Sequence, residues 1–371
     1  MIISHVILYH LRMPLVAHFE TSFGRIHTRD CILLEVHADG LVGFGECAAD
    51  RDPGYAYETV GTAWYILSQF ILPATLGKDI QQPGDMHLFT ENIRGHRMAK
   101  AGLEMALWDV FGKKEDRSLR DLFGGVRDRV EVGVSVGIQD SPQDLVNVVE
   151  SYLASGYGRV KIKIKPGRDV LDTQTVRSTF PDLRLQVDAN SAYTIETAQV
   201  LEPLDDLNLL LVEQPFAEDD MWDHRALQKR FKTPLCLDES ILSLRHVRQA
   251  LEMEACRVIN IKPGRVGGLN EAIAIHDLCR SVSVPVWCGG MLETGVGRAA
   301  NLALATLSGF TLPGDISATD RYYTKDITNE NFTLNPDSTI TVPSAPGLGV
   351  TINKEAVNQF TQKQLLVHQD S

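Results

Sequence analysis

Short apolar runs rich in β-branched residues recur along most of this chain, with amphipathic stretches between them. From Val130 onward the runs are Val132–Val136, Val160–Ile164, Leu183–Val187, Leu209–Val212, Leu235–Leu237, Val258–Ile261, Val284–Trp287 and Phe310–Leu312. Helical spacing of apolar positions, as over Pro142–Ala154 and Glu271–Cys279, separates them. Strand alternating with helix predicts parallel β/α units. Eight such units in about 190 residues fit a closed (β/α)8 barrel better than an open sheet. The first part of the chain reads differently. Ile2–Tyr9, Cys31–His37 and Leu41–Cys47 read as strands, and Asp39-Gly40 between the last two is a hairpin signal. Tyr55–Phe70 and Lys100–Lys113 read as helices. The pattern therefore predicts an α+β unit over residues 1–125 and a barrel over 126–319. The stretch from about 320 to 371 carries loop signals at Pro343, Pro346, Gly347 and Gly349, and is expected to return to the first unit.

Four of the expected barrel strands end in a charged residue placed directly after the apolar run. The third, fourth and fifth end in Asp188, Glu213 and Asp238, and the sixth ends in Lys262. The intervals are 25, 25 and 24 residues, one β/α unit each. Three carboxylates thus occupy equivalent C-terminal strand positions, on the face where barrel enzymes carry their sites. An Asp there often caps the next helix, but Glu is a poor cap and the three share one mouth. Facing anions repel, so a positive group must sit among them. Oxygen ligands on rigid strands, with room for water and substrate, suit Mg2+, with Mn2+ as a substitute.

The second strand reads Val160-Lys161-Ile162-Lys163-Ile164-Lys165. Lys161 and Lys163 share a strand face, about 6–7 Å apart. A closed parallel barrel has no edge strand for charged gatekeepers, and helices cover its outer face, so the pair is expected to point inward. Lys165 precedes Pro166-Gly167 and is expected in a loop. The second and sixth strands are opposite in an eight-stranded ring. Lys163 and Lys262 would then face each other across the mouth, on the two sides of a carbon next to a substrate carboxylate. One amine can take a proton, and the other can return one or stabilise the charge that develops.

Composition narrows the function further. The 371 residues carry a formal net charge of -12, which gives no long-range attraction to nucleic acid or to an anionic membrane surface. No apolar run is long enough for a membrane span, and the first residues do not read as a signal peptide. The six scattered cysteines lie mostly in apolar runs and are expected as buried free thiols of a cytoplasmic protein. The expected partner is a small-molecule carboxylate substrate, with a homo-oligomer as the assembled form. Two glycine patterns, Gly43–Ala48 and Gly295–Ala300, match G-x-G-x-x-A. The first opens no helix. The second precedes one, but the β/α units around it fit a barrel and not a dinucleotide fold.

The segments Val160–Gly167, Gln186–Asn190, Val212–Pro215, Cys236–Ser240, Asn260–Gly268 and Trp287–Gly295 together resemble the enolase superfamily. Within it they resemble most the o-succinylbenzoate synthases that overlap with N-succinylamino acid racemases. The resemblance spans nearly the whole chain. It implies an enolase-like modified TIM barrel under an N-terminal α+β capping domain, and Mg2+ ligands Asp188, Glu213 and Asp238. Lys163 would be the base, Lys262 the opposed acid/base or electrostatic partner, and Lys161 a holder of the substrate carboxylate. Asn190 and Glu239 would give polar support, although Glu239 also suits a helix N-cap. The segment Phe19–Gly24 matches a mobile lid with Phe19 and Phe23 as apolar walls, each of which core packing would also explain. A second capping loop runs around Asp50 and Tyr55, and Asp50 departs from the apolar residues expected there. Ser135, Met291 and Leu292 would contact a succinyl group, and Arg265, counted among the substrate-binding residues, accompanies racemase activity in this branch. The implied activity is dehydration to o-succinylbenzoate in menaquinone biosynthesis. The alternatives are racemisation as the main activity, a muconate-cycloisomerase-like lyase or epimerase, or a barrel without catalysis. A D-x-D pattern that a dipeptide epimerase would carry late in the barrel is absent.

Overall fold

The computed structural model describes residues 1–368. Its first strands form one long antiparallel hairpin, β1 (Ile3–Thr21) and β2 (Gly24–Ala38), to which β3 (Leu41–Cys47) is added. Asp39 and Gly40 both take the left-handed conformation (φ 50° and 77°) that a tight two-residue hairpin requires. The helix Arg97–Lys114 crosses this sheet at backbone contact distance. A Cβ on Gly45 would stand 2.1 Å from the Gly102 carbonyl oxygen, so only glycine allows the approach.

Three expectations for this region change. Strand β1 runs twelve residues past Tyr9, through a register shift between Pro14 and Phe19, because pairing with β2 carries the strand through Pro14. Phe19–Gly24 is then the tip of the hairpin and not a free loop: Phe19 pairs with Ile26, Glu20 with Arg25 and Thr21 with Gly24. The helix expected from Tyr55 begins at Val60, where the Thr59 side chain accepts from the Thr62 amide, and it continues through a π-helical turn, Leu67–Ile71. Tyr55 is left in the preceding loop.

The barrel strands are β4 (Arg129–Glu131), β5 (Val134–Val136), β6 (Arg159–Lys163), β7 (Arg184–Asp188), β8 (Val212–Glu213), β9 (Leu235–Leu237), β10 (Val258–Ile261) and β11 (Val286–Cys288). Strands β5 to β11 form a seven-stranded parallel sheet in chain order. The expected eighth strand, Phe310–Leu312, is not regular. Phe310 bridges Val286, and four residues on Gly314 bridges Val132, so the ring closes through single contacts. Pro313 lacks the amide that a central ladder needs. The expected first strand is shortened to β5, and β4, which precedes it, pairs with β12 (Thr339–Thr341) outside the ring. Two expected helices are found, at Pro142–Ala154 and Leu269–Ser281. After β7 the crossover is instead a run of 3-10 turns, Ala198–Asp206, broken by Pro203. Beyond the barrel the chain crosses back to the hairpin. Strand β13 (Thr361–His368) lies antiparallel against β1 as the sheet edge. All six cysteines are buried and free. Among the described residues no helix is long and apolar enough to cross a membrane.

Candidate active site

Register fixes the site. Lys163 is paired with Asp188, and Asp188 with Glu213, on successive strands at the same level of the ring. Asp238 and Lys262 follow β9 and β10 directly. The three carboxylates are fully buried, and Lys161, Lys163 and Lys262 are less than a tenth exposed. Both residues of the Lys161/Lys163 pair therefore point into the ring. Lys165 lies beyond the strand, where its Nζ meets Glu20 of the hairpin tip at 3.0 Å.

Shared donors draw the acids together. Lys161 Nζ stands 3.0 Å from Asp188 and 2.8 Å from Glu213. Asn260 Nδ2 donates to Glu213 (2.8 Å) and to Asp238 (3.1 Å). Lys163 Nζ donates to Asp188 Oδ2 (2.6 Å) and to Asn190 Oδ1 (2.7 Å), and Asn190 Nδ2 donates to Glu239 Oε1 (2.8 Å). Lys262 Nζ donates to Asp238 Oδ2 at 2.8 Å. Gly289 leaves the path to this amine open, since a Cβ there would lie 2.6 Å from Lys262 Cε.

The two opposed lysines are not electrostatically alike. Burial, reinforced by the Lys161 charge, holds Lys163 below the ordinary lysine range although Asp188 opposes this. Burial also disfavours charge on Lys262, but Tyr55, Glu213 and Glu239 outweigh it and keep the group firmly cationic. Burial acts to raise Asp188, yet Lys161 and Lys163 hold it far below the usual carboxylate range. Glu213 is raised, by burial and then by Asp188. Glu239 is pushed up to about 7 by burial and the Asp188 charge, and its Oε2 has no partner.

Among the described residues no group of three acids, histidines or cysteines stands at metal-holding spacing; ammonium and amide donors lie on the carboxylate oxygens. The donor chemistry nonetheless fits a hard divalent cation. It is oxygen only, anionic and buried, the acids share donors pairwise, and Glu239 Oε2 and Asn260 Oδ1 are buried without a partner.

A cavity of about 840 Å3, its open mouth included, lies over these groups. Lys161, Lys163, Lys262, Asn190, Ser135, Met291, Leu292, Phe19 and Phe23 all line it. Phe19 is buried, with its ring centre 5.9 Å from Lys163 Nζ. Phe23 is half exposed and faces Gly54. The Ser135 hydroxyl is buried without a partner. Arg265 does not line the cavity. It lies fully buried behind Asp238, which its Nη1 contacts, and its remaining donors go to the Ile241 and Asn260 carbonyls and to Tyr55. It braces an acid and meets no substrate space.

Two residues of the site carry more than the sequence expectations gave them, Asp315 having none and Tyr55 only a place in the second capping loop. Asp315 follows the irregular eighth stave and binds Lys161 (2.7 Å) and Arg159 (2.6 Å). Tyr55 donates to Asp238 (3.2 Å) and accepts from Lys262 (3.0 Å), carrying the first unit into the barrel mouth. Asp315 repeats the signal of an acid after an apolar run, displaced by Pro313-Gly314.

A ring with acids on three consecutive staves and amines on opposite walls, under an α+β hairpin unit, defines an enolase-type barrel. The chain belongs to the enolase superfamily. Residues 144–357 match the model for the "Enolase C-terminal domain-like" family, and residues 3–124 match that for the "Mandelate racemase / muconate lactonizing enzyme, N-terminal domain". An o-succinylbenzoate synthase of Geobacillus kaustophilus is 48% identical over 99% of this chain and 98% of its own length. An N-succinylamino acid racemase of Thermus thermophilus is 46% identical over 95% of each. The crystal structure of an enolase superfamily member from Listeria innocua superposes with a TM-score of 0.95 at 40% identity, covering 99% of both chains.

Proposed function

We propose that this chain is a Mg2+-dependent o-succinylbenzoate synthase that also racemises N-succinylamino acids. The carrying observation is the placement of Lys163 and Lys262 on strands four apart in the ring, both lining one cavity, with three buried acids between them. In this reading residues 1–125 with 320–371 form the cap, 126–319 the catalytic barrel, and the enzyme is cytoplasmic.

Asp188, Glu213 and Asp238 would hold Mg2+, which would supply fixed positive charge beside the substrate carboxylate. Everything else falls to the side chains. Lys163, held below the ordinary lysine range, is the base that removes the proton next to the carboxylate. The bond to the β-hydroxyl then breaks as the ring becomes aromatic. The Lys163 ammonium, on the same face, returns the proton to the departing oxygen, so that the net loss is water. Lys262, cationic on the opposite face, stabilises the negative charge that builds on the carboxylate oxygens. Lys161, fixed by three acids, steadies the same end of the substrate. For racemisation Lys262 instead delivers a proton to the face opposite Lys163. The 48% identity to the Geobacillus synthase favours dehydration as the main reaction. The amine on each face, and the 46% identity to the Thermus racemase, support the second.

The test offers the purified protein 2-succinyl-6-hydroxy-2,4-cyclohexadiene-1-carboxylate and N-succinylamino acids with Mg2+, and compares kcat/KM. Lys163→Ala should abolish exchange of the α-proton with deuterated solvent while Mg2+ still binds. Unchanged turnover in that variant would remove the assignment of the base.

A further inference from the structure

The proposed substrates carry two carboxylates, one beside the reacting carbon and one at the end of the succinyl arm. The lysines account for the first. The second, which belongs to the substrate only if the proposed activity holds, needs a partner of its own. Besides the three lysines the cavity wall includes one more cation, Arg29 on β2. Its side chain is only 2% exposed.

The fold does not use all of this guanidinium. Nη2 donates to the Ala48 carbonyl oxygen at 2.5 Å, and Nη1 faces Asp50 Oδ1 at 3.1 Å. Nε is buried and has no partner. Leaving a buried donor idle is costly, and a simple tie to the loop at Ala48 would not require a charged group. The one carboxylate within ion-pair distance, Asp50, is 31% exposed and also accepts from the Arg51 amide (2.7 Å). It can turn to solvent at small cost. Asp50 is also the residue that breaks the apolar pattern expected of this capping loop.

We propose that Arg29 is the subsite for the distal carboxylate of the substrate, with Asp50 as an internal occupant that the incoming carboxylate displaces. The chemical class selected is a dicarboxylate whose second acid sits at the end of a short flexible arm. Arginine suits this task, because its charge persists at any working pH and its planar fork matches a carboxylate.

The experiment compares N-succinyl and N-pentanoyl derivatives of one amino acid, which differ in the distal carboxylate, in the wild type and in Arg29→Gln, Arg29→Lys and Asp50→Asn. Loss of a charge-assisted contact predicts that Arg29→Gln lowers the N-succinyl/N-pentanoyl ratio of kcat/KM by about 30-fold. Arg29→Lys should restore part of the ratio. Asp50→Asn, which removes the internal competitor and keeps the shape, should raise it. A ratio unchanged in Arg29→Gln would overturn the subsite, since loss of a loop tie affects both compounds alike. If Arg29→Gln does not fold, Asp50→Asn decides: a ratio that does not rise sinks the proposal. Calorimetric binding of N-succinylglycine and N-pentanoylglycine separates the subsite from the activity. If the wild type turns over neither derivative but binds the succinyl compound more tightly, and Arg29→Gln cancels the difference, the activity reading fails and the subsite stands. Equal binding of the two by the wild type removes the subsite.

Discussion

Buried carboxylates occupy two regions of this molecule, and the two regions handle them in opposite ways. In the barrel mouth the acids that meet lysine or arginine set the tone: Asp188 faces Lys161 and Lys163, and Asp315 faces Lys161 and Arg159. Between hairpin unit and barrel the acids meet backbone amides instead. Glu46 of β3 accepts from the Thr294 and Gly297 amides at the start of the helix Gly295–Ala305. Glu104 accepts from the Asn270 amide at the start of the helix Leu269–Ser281, and its second oxygen is buried without a partner. Helix N-termini attract negative charge, but weakly compared with a lysine at 3 Å. Accordingly Asp188 and Asp315 lie far below the usual range, despite burial. Burial pushes Glu46 up to about 7 and Glu104 up to about 8. The lysine- and arginine-paired Asp188 and Asp315 of the mouth stay ionised, whereas the seam holds acids that carry a proton over much of the ordinary pH range.

The strongest way to break this contrast acts on the mouth. Lys163→Ala should lower kcat by about 10^3-fold, the loss expected for a positioned base, with no matching loss of thermal stability. A drop in melting temperature that accounts for the lost activity would make Lys163 a structural counter-charge. Next in size is Asp315→Asn. It leaves Arg159 buried and short of its carboxylate, so denaturant unfolding should show a loss of about 3 kcal/mol. The seam responds to pH with a definite sign. An acid raised on folding stabilises the native state below its ordinary pKa, and that contribution fades as pH climbs to the raised value. Glu46 and Glu104 should therefore cost the fold about 2 kcal/mol or more between pH 5 and 8, measurable as a falling melting temperature. Glu104→Gln should flatten that slope, and an unchanged slope would show the acid is not its source. The depressed mouth acids act in the other direction. Their contribution is present above the ordinary carboxylate range and is lost only in strong acid. The smallest effect is expected from Tyr55→Phe, which removes one hydroxyl beside Lys262. Racemisation, which needs Lys262 to move a proton, should fall about fivefold more than dehydration.

The sequence carried the mouth better than its surroundings, for physical reasons. Asp188, Glu213, Asp238 and Lys262 were legible because the β/α repeat spaces them and the strand end aims them. Lys161 and Lys163 were legible because a two-residue period allows one interior face. Asp315 was hidden by Pro313-Gly314, which converts the last stave into isolated bridges. Tyr55 was legible only as part of a capping loop, because the apolar spacing also drew it into a helix that the Thr59 cap starts later, and nothing in the sequence pointed its hydroxyl at Asp238 and Lys262. The hairpin tip gave no strand pattern of its own, since its regularity comes from pairing and not from propensity. Arg265 was assigned to substrate space from a resemblance, but only the packing shows that it lies behind Asp238.

Strand β13 ties His368 alongside His5, so the opening sheet is finished by a segment from the other extreme of the sequence. During synthesis β1 must wait with one flank bare until almost everything else has emerged. A ribosome-bound chain stopped before β13 would expose a long sticky ribbon, and chaperone engagement should persist until that strand emerges.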